Sequence, residues 1–311
     1  MCSQGIIDRY VNFYTDFAFK KLFGTEVNKS LLISFLNALL HGKEVIEDIT
    51  YLNAEHLGTQ EYDRRAVFDV YCKNDQGEVF IVEMQKGEQQ FFKDRSVFYS
   101  TFAIREQAPR GYWNYELKGV YTVGILNFRI FKDDEVRHDV QLVDMKTKEL
   151  FYDKLKFIYL EMPKFNKSEA ELETMFDKWL YAIRNLDNLM KRPDNFQEKV
   201  FTRLFEAAEI AKFNKQDRID YEDSLKVMRD WYSTIETATL KGIAKGEAKG
   251  RAEGRAEGRA EGRAEGRAEG RVEGARENEI AMAKAMKNKG IASSVIAQCT
   301  QYLTIEEIEE L

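Results

Sequence analysis

The stretch AVFDVYCKNDQGEVFIVEMQK, residues 66–86, constrains the fold of this chain more than any other. β-Branched and aromatic residues flank Asn74-Asp75-Gln76-Gly77, the composition of two strands joined by a tight turn. A three-residue loop of Asp75, Gln76 and Gly77, with glycine in the left-handed position, pairs Asn74 with Glu78. The register then follows by counting. Cys72 faces Phe80, Val70 faces Val82 and Phe68 faces Met84, an apolar set for one buried face. The other face pairs Tyr71 with Ile81, Asp69 with Glu83 and Val67 with Gln85. A slip of one residue would exchange the two faces, so the turn decides the chemistry.

Carboxylates directly opposite each other on neighbouring strands repel. Val67, Tyr71 and Ile81 beside them lower solvation and sharpen that repulsion. Such a pair calls for a cation, a basic side chain or a proton. Hard oxygen donors suit Mg²⁺ or Mn²⁺. The same pattern has a second reading, in which Asp69 and Glu83 are exposed or pair with Arg64, Arg65 or Arg95.

Around this hairpin, residues 1–165 read as a compact domain that mixes helices and strands. A short amphipathic helix over 15–23 ends at Gly24. A second helix, capped by Asn28, carries Leu31, Leu32, Phe35, Leu36, Leu39 and Leu40 at helical spacing and ends at Gly42. Strands follow over 46–53, 66–74, 78–85, 120–128, 136–145 and 155–162, interrupted by a helix over 89–105. That order predicts an α/β domain with a mixed sheet flanked by helices. Residues 166–245 read as helical throughout, with Leu172, Met175, Phe176, Trp179, Leu180, Ile183 and Leu186 along one face.

Residues 246–275 contain five consecutive copies of RAEG followed by RVEG. Each glycine costs a helix about 0.8–1 kcal/mol relative to alanine. Arginines repel arginines four residues on, and glutamates likewise, while opposite charges sit two apart and do not face each other. The repeat therefore predicts a marginal helix or a spacer that becomes helical against a second copy. Residues 276–311 form a small helical unit in which Thr304 and Glu307 make a capping box. The helical region, repeat and C-terminal unit together suit a homo-oligomer.

The net charge of −6 does not suit a chain that coats nucleic acid through bulk charge, but a local basic groove suffices for DNA. Cys2, Cys72 and Cys299 have no metal-site or disulfide spacing. No signal-peptide core and no membrane-spanning apolar run stand out, so the expectation is a cytoplasmic protein with no membrane partner. His41, His56 and His138 are scattered, no nucleophilic triad stands out, and the repeat glycines follow no strand, so they are not a phosphate-cradling loop.

Asp69, a turn, then Glu83-Met84-Gln85 resembles the core of the PD-(D/E)XK nucleases. The opening segment DFAFKKLFG at 16–24, FFKDRSVFYSTFAIREQ at 91–107 and GVYTVGILNF at 119–128 resemble one bacterial branch, the recombination-promoting nucleases and transposase-like proteins. The tail, a charged repeat before a short helical end, fits the same pattern. Most of that superfamily carries lysine where Gln85 stands; this branch resembles the glutamine variant. Lys86 is adjacent, but strand alternation places it on the opposite face.

The resemblance implies a restriction-endonuclease-like core followed by an all-α region. It implies hydrolysis of DNA phosphodiester bonds by an endonuclease tied to recombination or mobile elements, with Asp69, Glu83 and Gln85 as catalytic residues. Asp69, Glu83 and the Met84 backbone carbonyl would bind Mg²⁺ or Mn²⁺, with Asp16 as an additional candidate ligand. Lys20, Arg64, Arg65 and Arg95 are candidate DNA phosphate contacts. The alternative is a catalytically inactive nuclease-fold factor that binds DNA or protein.

Overall fold

The computed structural model describes residues 8–40, 45–56 and 66–311. Gly42, His41, Cys2, Arg64 and Arg65 lie outside the described residues. In chain order the elements are α1 (Asp16–Phe23), α2 (Lys29–Leu40), β1 (Ile49–Tyr51), β2 (Glu55–His56), β3 (Ala66–Val67), β4 (Val70–Asn74), β5 (Val79–Gln85) and α3 (Phe92–Arg105). They continue with β6 (Val120–Leu126), β7 (Arg137–Val143), β8 (Leu150–Glu161), α4 (Met175–Asn185), α5 (Lys199–Ala208), α6 (Lys215–Asn288), α7 (Ser293–Ile296) and α8 (Ile305–Glu310).

Six strands form one mixed sheet in the order β1-β4-β5-β6-β8-β7. β4 and β5 are antiparallel, β5, β6 and β8 run parallel, and β7 returns antiparallel on β8. The hairpin turn forms as the residues dictate. Gly77 has φ +83°, Asn74 N–H donates to the Glu78 carbonyl at 2.9 Å, and Asn74 Oδ1 accepts from the N–H of Gln76 and of Glu78. Cys72 therefore pairs with Phe80, Tyr71 with Ile81 and Val70 with Val82.

Both faces of the sheet are covered, as parallel strands require. Val70, Cys72, Phe80, Val82, Met84, Tyr121, Val123 and Ile125 pack into one core with the buried faces of α1, α2, α4 and α5. Trp179 of α4 is fully buried there, among Phe23, Phe35 and Phe201, and its Nε1 donates to Ser34 Oγ at 3.2 Å. On the opposite face Tyr71, Val79, Ile81 and Val120 meet Phe102 and Ala103 of α3, and Phe92 of α3 meets Leu126, Phe157 and Tyr159.

Local endings match their residues. Thr15 caps α1 by accepting the Ala18 N–H, and Gly24 closes it. Asn28 departs from the expected cap: it ends a 3-10 turn, Glu26–Asn28, and its amide donates to the Lys21 carbonyl at 2.9 Å. The strand expected over 66–74 is broken at Phe68 and Asp69. Its first part, β3, leaves β5 and pairs with β2. Phe68 N–H donates to the Ala54 carbonyl, and the ring joins the α3-side core with Tyr71, so Phe68 does not face Met84. Val67 correspondingly pairs with Glu55, not Gln85.

Contacts group Met1–Asp230 into one compact unit and Trp231–Leu311 into another, with α6 running through both. The RAEG repeat is helical along its whole length within α6. Ion pairs four residues apart occur where the repeat begins, Arg251 with Glu247 and Lys249 with Glu253. In the second unit α7 and α8 fold back on the end of α6 around Ala283, Ile296, Leu303 and Ile308. Gly290, at φ +80°, makes the break, and the Thr304–Glu307 capping box opens α8. Among the described residues no helix is long and apolar enough to cross a membrane.

Two outcomes follow from this packing. Trp179→Ala destabilises the chain by about 3–5 kcal/mol in denaturant unfolding, because it removes a fully buried indole and leaves a cavity in the core. An added Cβ at Gly254, Gly258 or Gly262 meets nothing within 4 Å. Gly→Ala there raises helix stability by roughly 0.8–1 kcal/mol per position, read as ellipticity on heating.

Candidate active site

The site begins where the β4–β5 ladder ends. Past Val70 and Val82, the next pair in register is Asp69 and Glu83. It is a non-hydrogen-bonded position, where side chains on antiparallel strands come closest. The following pair, Phe68 and Met84, would exchange backbone hydrogen bonds if β4 continued. It does not continue. Met84 N–H donates instead to Asp69 Oδ2 at 2.8 Å, and Asp69 N–H donates to Glu83 Oε1 at 3.2 Å. The Asp69 carboxylate stands in for the Phe68 carbonyl and terminates the ladder.

This termination also orients a third oxygen. N–H and C=O of one residue point to the same side of a strand. Met84 N–H points to Asp69, whereas the Gln85 carbonyl accepts the Asn127 N–H on the β6 side. The Met84 carbonyl is therefore aimed at the Asp69 side, and the Phe68 N–H that would have met it goes to Ala54.

Gln85 is buried and shares the Glu83 face. Its Nε2 donates to Glu83 Oε2 at 3.1 Å, and its Oε1 accepts from Arg95 Nη2 at 2.6 Å. Those two partners settle the amide orientation. Arg95 comes from the first turn of α3, also donates to Gln89 Oε1, and packs near the rings of Phe92 and Tyr99. Its guanidinium thus faces two side-chain amides.

A groove of about 690 Å³ opens onto Asp69. Asp16, Lys20 and Lys21 of α1 line it, facing Asp217, Asp220 and Asp223 of α6. Lys20 pairs with Asp16 at 3.1 Å and Lys21 with Asp217 at 3.0 Å. The three α6 aspartates were not among the site residues expected from sequence. Their three-residue spacing puts them on one helix face, which was the available signal. With Asp16 and Asp69 they give the groove five carboxylates against two lysines.

The electrostatics follow from burial. Glu83 is pushed up to about 8, first by desolvation and then by the charge of Asp69; the Asp69 N–H, Arg95 and Gln85 oppose this. Burial also raises Asp69, opposed by the Met84 N–H, while Asp16 adds repulsion and Lys20 and Lys86 relieve it. A buried pair of this kind is an electrostatic demand for positive charge. The donors are hard oxygens, which fit Mg²⁺ or Mn²⁺. No cluster of three or more His, Cys, Asp or Glu able to hold a metal occurs among the described residues. Two carboxylates and a carbonyl fit an ion that keeps waters and takes substrate oxygens, as Mg²⁺ does.

Residues 13–238 match the family model described as PD-(D/E)XK nuclease family transposase. The match runs from the segment before α1 into α6 and stops short of the RAEG repeat. No curated protein and no solved structure matches the chain.

The raised carboxyl fixes the sign of a pH effect. Folded Glu83 holds its proton above the ordinary value of 4.5, up to about 8, so unfolding between those values releases a proton. The metal-free protein therefore loses stability as pH rises through that window. In EDTA the melting temperature of wild type falls relative to that of Glu83→Gln between about pH 5 and pH 8. Mg²⁺ or Mn²⁺ recovers the difference at the alkaline end. Parallel pH profiles for the two proteins would contradict the buried pair.

Proposed function

This chain belongs to the PD-(D/E)XK nuclease family of transposases, and on that premise we propose that it is a divalent-metal-dependent DNA endonuclease. The observation that carries the reading is the juxtaposition of Asp69 and Glu83 at the broken end of the ladder, both raised by burial.

Asp69, Glu83 and the Met84 carbonyl would hold Mg²⁺ or Mn²⁺, with Asp16 across the groove as a further oxygen donor. A divalent cation supplies Lewis-acid activation of water and neutralises charge developing on the phosphate. Glu83 and Asp69 have to be ionised to bind it, so proton and cation compete for the same oxygens. Gln85 carries no charge and cannot act as an acid. Its Nε2 has two hydrogens; one goes to Glu83, and the other can donate to a water or a phosphate oxygen. Arg95 holds the amide in that orientation by occupying Oε1. Lys20, Arg64 and Arg65 remain our proposed phosphate contacts, with Arg95, held by Gln85 and Gln89, the fourth candidate, and recombination or mobile-element activity the proposed setting.

Supercoiled plasmid incubated with Mg²⁺ is nicked, and EDTA abolishes nicking. Asp69→Ala and Glu83→Ala each lower the rate by about 10²–10³-fold, the size expected for losing a main electrostatic contributor. Arg95→Ala costs about 10–100-fold, as for a group that orients another. Plasmid that stays intact with every metal while gel shifts persist would identify a DNA-binding factor instead. Neither cutting nor shifting would identify a protein-interaction factor.

A further inference from the structure

The end of β5 and β6 opposite the carboxylates carries a surface that cleavage leaves unused. Between α3 and β6, Tyr112 is 98% exposed and Tyr115 is 80% exposed. Trp113 lies against Tyr115 with ring centroids 5.1 Å apart. Two tyrosine rings held out in solvent beside a half-buried Trp113 are the reverse of what a core needs, and they mark an interaction surface.

The end of the segment next to β6 is tied down at residues 117–119. Lys118 N–H donates to Gln107 Oε1 at 2.7 Å, Lys154 Nζ to the Leu117 carbonyl at 2.9 Å, and Val79 N–H to the Gly119 carbonyl at 2.8 Å. Tyr115 itself adopts φ +63°, a left-handed conformation that side chains other than glycine seldom take. Against this loop lies a pocket of about 270 Å³ lined by Lys118, Lys154, Lys156 and Gln76, with Glu78 and Asp153 also on its wall. The loop thus passes from exposed rings directly into a lysine-rich pocket, with Leu117 and Lys118 common to both.

We propose that this loop and pocket bind single-stranded DNA, with a phosphate among Lys118, Lys154 and Lys156 and bases stacked on Tyr112, Trp113 and Tyr115. Two observations select that occupant. Three lysines converge on the pocket wall, and although Glu78, Asp153 and Glu116 (3.7 Å from Lys118 Nζ) balance their charge, a phosphate can take the place of the exposed Glu116 carboxylate on Lys118. The exposed apolar groups of the loop are aromatic, and aromatic faces accept any unstacked base while a duplex hides its base faces. The run from Val79 to Gln85 is six strand steps, so the surface lies about 20 Å from Gln85 along the sheet. It would hold an unpaired flank of DNA some nucleotides away from the carboxylates. The inference takes DNA as partner from the family but does not require cleavage.

The test uses the full-length protein in EDTA, so that cutting is silent, with a labelled oligo(dT) strand and a duplex of equal length. Tyr112→Ala/Tyr115→Ala weakens single-strand binding by about 5- to 150-fold for each base that loses its ring, from about 1–3 kcal/mol per stacked base, and leaves duplex binding unchanged. Lys118→Ala/Lys154→Ala weakens single-strand binding and makes it less salt-dependent. Near-ultraviolet circular dichroism and thermal melts check that each variant keeps the wild-type fold. Wild-type affinity for the single strand in the aromatic variant, or equal losses for single strand and duplex, would overturn the proposal. So would the absence of single-strand binding by wild type in EDTA, even if plasmid nicking with Mg²⁺ stands.

Discussion

The hydrogen bond from Met84 N–H to Asp69 Oδ2 is the point on which sheet and site both turn. A buried N–H at the end of a ladder needs an acceptor, and leaving it without one costs about 1–3 kcal/mol. Asp69 supplies a side-chain oxygen where a backbone carbonyl would otherwise stand. β3 is released to pair with β2, and Phe68 turns into the core beneath α3. One aspartate thus ends a strand, redirects the chain and sets its own carboxylate beside that of Glu83.

The cost of that arrangement is electrostatic. Glu83 lies opposite Asp69 in a region that burial has partly dried, and both carboxyls are raised as a result. The relief offered by the protein is indirect. Arg95 reaches Gln85, and Gln85 reaches Glu83, so positive charge arrives through a neutral amide. Lys20 is shared with Asp16, and Lys21 with Asp217. A groove with more carboxylates than lysines favours small cations over a bare phosphate. In the proposed reaction, cation and phosphate therefore depend on each other for entry.

The helical half has a different physical basis in each of its parts. α4 and α5 share a core with α1 and α2 through Trp179, Phe196 and Phe201, so their stability is tertiary. The repeat within α6 has open glycines and no such core, so its helix rests on backbone hydrogen bonds, helped by ion pairs only where the repeat begins and opposed by like charges four residues apart. The sequence predicts a marginal helix or a spacer here, and the chain continues as helix through it. The flanking helical residues on both sides spare it the cost of nucleation, which is the dearest step for an isolated helix.

Local chemistry was enough to read much of this protein from its sequence. Gly77 in the left-handed turn set the register, and with it the opposition of Asp69 and Glu83. Helical spacing gave the buried faces of α1, α2 and α4. The mixed sheet flanked by helices also followed from the order of the segments. What needed the tertiary structure was non-local. The ladder breaks at Asp69 because β2 offers Phe68 N–H another acceptor, and no pattern within 66–86 reports that competitor. Arg95 finds Gln85 because α3 packs across the sheet, and Asp217, Asp220 and Asp223 reach the groove from residues far along the chain. A turn is decided by the few residues that form it, whereas a buried charge takes its partners from whichever elements the fold brings beside it.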